Sequence, residues 1–168
     1  MAVREIILYP DTRLSTAARP VESFDSTLEN WIADLVETMT YTRAAGLAGP
    51  HVGISKRIVV IRMALVDSVR VFINPTIVWS SETMATHQEG SVSLPGLTAD
   101  VERAARVRVQ YFDPDGSERI VEADGFFSAC LQHEIDQLDG IFWLARLSRL
   151  KRERLIAKAS KSSRGLRG

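Results

Sequence analysis

The stretch Cys130-Leu131-Gln132-His133-Glu134-Ile135-Asp136-Gln137-Leu138 decides the reading of this chain, because here an apolar helix must carry polar groups inward. In metal-dependent hydrolases a helix of the form His-Glu-x-x-His sets two imidazoles at i and i+4 on one face. They grip a metal, and the intervening Glu takes a proton from metal-bound water. His133 and Glu134 fit that form, but Gln137 stands where the second His belongs.

Working outward, Asp124 is expected to cap a helix over 125–138, and Gly140 to stop it. Just upstream, 107–111 alternates faces, Asp113-Pro114-Asp115-Gly116 reads as a hairpin turn, and 117–121 returns. Asp25 caps an earlier helix with one buried stripe of Leu28, Trp31, Ile32, Leu35, Val36 and Met39. Pro10-Asp11 opens a short helical turn. The small residues 44–53 lack the Gly-Lys-Ser/Thr ending of a phosphate loop and read as a tight turn into a strand over 57–63. Two further strands, 69–74 and 76–79, are expected on either side of Asn74-Pro75, with a polar bend at 80–83. A terminal helix over 148–159 is followed by a polar, frayed tail over 160–168. The fold class is α+β: short antiparallel strands around the internal helix bearing His133-Glu134, in one domain over 1–168.

Composition narrows the setting. Of 168 residues, 45% are apolar and 25% charged, enough for a substantial core. The net charge of zero conceals a split: nine Arg or Lys against one acid from Arg146 onward, and an acidic remainder. One cysteine excludes an intramolecular disulfide, the N-terminus lacks the apolar core of a signal peptide, and no run is long enough to span a membrane. A cytoplasmic protein is expected, with no membrane partner.

Three segments, in order and spacing, resemble the peptide deformylases, and the resemblance covers practically the whole chain. That family reads Gly-x-Gly-Leu-Ala-Ala-x-Gln, then Glu-Gly-Cys-Leu-Ser, then Gln-His-Glu-x-Asp-His. The resemblance implies a peptide-deformylase-like fold and removal of formyl from N-formylmethionyl peptides at an Fe(2+) or Zn(2+) ion. It implies metal ligands at His133, Ser91 and Gln137. It gives catalytic positions at Glu134, at His51 and at Val92, whose backbone N–H would help hold the formyl oxygen, and substrate-binding positions at Gly46, Leu47 and Ala48. Glu89 is expected to pair with Arg103, Asp136 to orient its neighbours, and Cys130 to be a packed helix residue.

The chain departs from the pattern where it matters most. Ser91 replaces the ligand Cys, Gln137 the second ligand His, His51 the Gln, and Val92 the Leu; Ala44 replaces the first Gly and Gly49 the second Ala. A hydroxyl and a carboxamide are far weaker ligands than a thiolate and an imidazole. At about 3 kcal/mol per ligand, losing two weakens binding by about 5–8 kcal/mol, or roughly four to six powers of ten. The expectation is no cofactor or a weakly held one, with His133, Glu134, Ser91 and Gln137 hydrogen-bonding one another. Two alternatives are a His51–His133 pair completed by Glu134 or Ser91, and a metal-free hydrolase with Ser91 as nucleophile and His133 as base. Thr98 stands where many bacterial members carry an Arg, so peptide recognition is altered too. The expected function is a deformylase-like protein that has lost ordinary deformylation and keeps a cleft for an N-formyl peptide or other small ligand; the alternative is a weak hydrolase through His51, His133 and Glu134. The basic helix is a candidate contact for ribosomal RNA or another polyanion.

Overall fold

In a computed structural model that describes residues 1–64 and 67–165, the strand Ile58–Ile61 explains the architecture best. All four of its residues are fully buried, and successive side chains enter opposite cores. Val59 and Ile61 face one core, Ile58 and Val60 the other. A strand with no polar side must be covered on both faces.

It is β2 of a five-stranded antiparallel sheet ordered β1-β2-β3-β6-β7, with β1 Gly46–Ala48, β3 Arg70–Ser80, β6 Arg106–Phe112 and β7 Glu118–Asp124. On one face lies α1, Ser26–Thr42, which buries Leu28, Leu35 and Met39 against Ile58, Val60 and Ile73. Asp25 caps it as expected, its carboxylate accepting the N–H groups of Thr27 and Leu28. On the other face lies α2, Gly125–Leu138, with Leu131, Ile135 and Leu138 packed on Val59, Phe72, Val107 and Val109. Beside this sheet, β4 Met84–Ser91 and β5 Leu94–Ala104 form a two-stranded ribbon. Its apolar side joins Leu14, Phe142, Trp143 and Leu147 in a third cluster. The last helix, α3, runs Arg149–Gly165 and lays Leu155, Ile156 and Ala159 on that cluster.

Several sequence expectations need correcting. The run 44–53 is more than a turn: it supplies β1 and a 3-10 turn at Gly49–Val52. The two strands around Asn74-Pro75 are one strand, β3. Asn74 takes a left-handed φ of 50°, and its amide bonds both ways with Val21, so the bulge is held and pairing resumes beyond Pro75. Asp124 sits at the start of α2, but its side chain makes no capping hydrogen bond. The helix is instead pinned by Gln132, whose amide exchanges hydrogen bonds with the backbone N–H and C=O of Ala104 at the end of β5. Residues 160–165, expected to fray, continue α3. The remainder of that tail lies outside the described residues.

Gly49 shows how tightly the turn is drawn. A Cβ there would lie 2.5 Å from the Ile54 carbonyl oxygen and 2.6 Å from that of Lys56, both main-chain atoms. Gly49→Ala, although it restores the residue of the resembled motif, is expected to destabilise the fold by about 1–3 kcal/mol. A urea-unfolding midpoint unchanged from the parent would refute that.

Candidate functional site

Between the free edge of β1 and the end of β4 opens a cleft of about 650 Å³, floored by α2. Ala129, Cys130, His133 and Glu134 line it from α2. Leu8, Val92, Leu97 and Phe126 give it apolar walls, and His51 and Gly46 close its inner end.

His133 is held from behind. Its Nδ1 lies 2.8 Å from Glu89 Oε1, whose carboxylate also accepts two bonds from Arg103 at 2.6 and 2.9 Å. Arg103 reaches on to Asp136 at 2.8 Å, and Asp136 is gripped by both Nε and Nη2 of Arg146. The expected Glu89–Arg103 pair is thus one link of a buried ionic chain. Burial alone pushes the Glu89 carboxyl up, but the hydrogen bonds from His133 and Arg103 outweigh it and hold the group at about 2. The ionised Glu89 carboxylate is the acceptor in that contact and His133 Nδ1–H the donor, which fixes the orientation of the ring.

Glu134 behaves in the opposite way. It is buried, and burial pushes its carboxyl up to about 7. Its Oε1 abuts Gly46, where a Cβ would come within 2.8 Å of it, so a residue without a side chain is needed there. Its Oε2 is buried without a hydrogen-bond partner and lies 3.7 Å from His51 Nδ1. That nitrogen already accepts the Ala48 N–H at 3.1 Å, which puts the ring proton on Nε2, itself buried and unpartnered. Burial, with His133 nearby, brings His51 down to about 3, so the ring is neutral. Cys130, half-buried, is pushed up by burial to about 12 and stays a thiol.

The mutual hydrogen bonding expected among His133, Glu134, Ser91 and Gln137 is not what the structure contains. Gln137, 1% exposed, does not line the cleft; its Nε2 donates to the Leu14 carbonyl at 2.7 Å. Ser91 Oγ accepts the Ser93 N–H at 3.1 Å. His133 binds Glu89, and Glu134 binds none of the other three. A hydrogen bond to a carbonyl 123 residues away has no local signal in the sequence. Val92 lines the cleft from the turn joining β4 and β5. Of Gly46, Leu47 and Ala48, Gly46 reaches the cleft, while Leu47 and Ala48 point into the two cores.

The residues at 91, 133 and 137 do not fit a divalent ion, because Gln137 does not line the cleft and has its amide nitrogen bound to Leu14, and Ser91 offers only a neutral hydroxyl that already accepts the Ser93 N–H. Among the described residues no group of three or more His, Cys, Asp or Glu side chains is arranged to hold one.

A family model described as polypeptide deformylase matches residues 3–153. A protein of Brucella melitensis named peptide deformylase-like is 52% identical over 98% of this chain and 100% of its own length. A peptide deformylase of Brucella suis is 42% identical over 96% of this chain and 94% of its own. Among solved structures, a peptide deformylase from Legionella pneumophila superposes with a TM-score of 0.91 at 38% identity, covering 97% of this chain and 96% of that one.

Proposed function

The chain belongs to the peptide deformylase family, and from that premise we propose that it has lost ordinary metal-dependent deformylation and uses the cleft to bind a peptide or another small ligand. One observation carries this reading: the Gln137 amide nitrogen is tied to the Leu14 carbonyl, inside the protein, and Gln137 does not line the cleft. The hydroxyl of Ser91 is a poor substitute for a thiolate and cannot by itself offset that loss.

The retained cleft is supported by its edges. β1 ends one sheet, β4 belongs to a ribbon of two, and residues from both line the opening. An unpaired strand edge accepts an extended peptide through main-chain hydrogen bonds. At the inner end, the His51 N–H is suited to an acceptor oxygen such as an amide carbonyl.

A second reading, a weak amide hydrolase through His51, His133 and Glu134, is favoured by one observation. His51 Nε2 and Glu134 Oε2 are polar atoms buried in this cleft without partners, as groups awaiting a reacting molecule are.

Elemental analysis of protein purified without chelators, together with formate release from N-formyl-Met-Ala, separates the two. The first reading expects no stoichiometric iron, nickel or zinc and no formate. It also expects the double variant Ser91→Cys, Gln137→His to gain metal affinity by several powers of ten. One equivalent of tightly held metal in the parent overturns it. Formate release by the parent that disappears on Glu134→Ala establishes the second.

A further inference from the structure

We propose that Arg43 is a specificity-determining residue of the cleft, recognising a carboxylate at the outer end of the bound molecule; the proposal rests on the ligand-binding reading above.

The charge inventory of the cleft is short. Its carboxyls, Glu89 and Glu134, are both buried, and Glu89 is neutralised by Arg103. Its imidazoles are His51, neutral, and His133, tied to Glu89. The one Lys or Arg side chain lining the cleft is Arg43, exposed at the rim, and among the described residues its guanidinium has no hydrogen-bond or ion-pair partner. The other rim carries Thr98, Pro95 and Gly96, all uncharged. The mouth therefore presents a single uncompensated positive charge above apolar walls.

The backbone fixes where that charge sits. Arg43 ends α1 in the left-handed conformation at φ 56°, with its N–H closed on the carbonyls of Met39 and Thr40. Three residues later β1 begins, so the Arg43 Cα stands at the junction of a packed helix and the open strand edge. A left-handed helix end is a place where glycine is the unstrained choice. A long cationic side chain at such a point adds backbone strain, and strain kept beside a cleft points to a use for the side chain.

The matching ligand is a short molecule with an uncharged, amide-like inner end, an apolar middle and an anionic outer end. A cavity of this volume lies within the roughly 300–1,000 Å³ typical of sites that enclose such molecules. The carboxylate has two sources, the free C-terminus of a very short peptide or an acidic side chain just beyond the apolar residue. Both offer Arg43 the same planar acceptor pair.

Titration calorimetry at low salt with three probes tests this: N-formyl-Met-Ala, its C-terminal amide, and N-formyl-Met-Asp with an amidated C-terminus. The parent is expected to bind a carboxylate-bearing probe up to roughly fivefold more tightly than the uncharged amide, with the preference fading as salt rises. The better of the two carboxylate probes identifies the source. Arg43→Asn, a residue that tolerates the left-handed backbone, should remove the preference while leaving affinity for the uncharged amide unchanged, and Arg43→Lys should restore most of it. Equal binding of all probes by the parent, or a preference that survives Arg43→Asn, overturns the proposal and leaves the ligand-binding reading standing. Failure of every probe to bind overturns both.

Discussion

Arg103→Ala is expected to lower stability by about 3–5 kcal/mol, the largest loss from any single side chain in the site. The size follows from what remains behind. Arg103 is 4% exposed and stands between two buried carboxylates, Glu89 and Asp136. Asp136 keeps Arg146 after the change, but Glu89 keeps only the His133 imidazole. An ionised carboxylate left in that position must draw in water, take up a proton or break the local packing. A second effect should accompany the first: with Glu89 unsteadied, the ring of His133 loses the group that fixes its orientation. Urea titration gives the energy, and His133 ring resonances give the orientation. A midpoint shift no larger than that of an exposed ion pair such as Arg108–Glu122 would mean that the chain is not carrying the site.

Glu134→Gln should do the reverse, and only at higher pH. The Glu134 carboxyl is raised from an ordinary value of 4.5 to about 7 in the folded chain. Between those values the folded state binds more proton than the unfolded state, so the parent loses stability as pH climbs through that window. By pH 8 the loss is complete and amounts to about 3 kcal/mol. Glutamine has nearly the same shape, fits against Gly46 and carries no charge to bury. The variant should match the parent near pH 4.5 and exceed it by about 3 kcal/mol at pH 8. Glu89, held at about 2, contributes stability that is present above 4.5 and lost toward acid, but it does so in both proteins and cancels from the difference. A gap between parent and variant that does not widen from pH 5 to pH 8 would show that the carboxyl ionises normally.

What the sequence made visible follows from where the physical signals are local. Helix α2 carries its pattern and its stop within its own residues, and the span 125–138 was readable from them. The turn at 113–116 announces the β6–β7 hairpin. By contrast β4, with its sequence Met-Ala-Thr-His-Gln-Glu-Gly-Ser, has little apolar alternation to show, because it is one half of a ribbon with a wet face. No strand was expected there, nor at β5. Nor could local patterns place β1: a Gly-Leu-Ala triplet forms a strand only because β2 pairs with it. In the site, the family motifs led to His133, Glu134, Ser91 and His51. The ionic chain beyond Arg103 and the orientation of Gln137 depend on residues brought together by folding.

The Gln137–Leu14 hydrogen bond also bears on how this chain can change over generations. Replacing Gln137 by His strips a buried carbonyl of its donor before any benefit is available, since the partner position still holds Ser91. Replacing Ser91 first supplies a thiol with no second imidazole to work with. One order of replacement costs a buried hydrogen bond and the other brings no gain until the second change is made, so a lineage that has acquired this bond is held on its side of a ratchet.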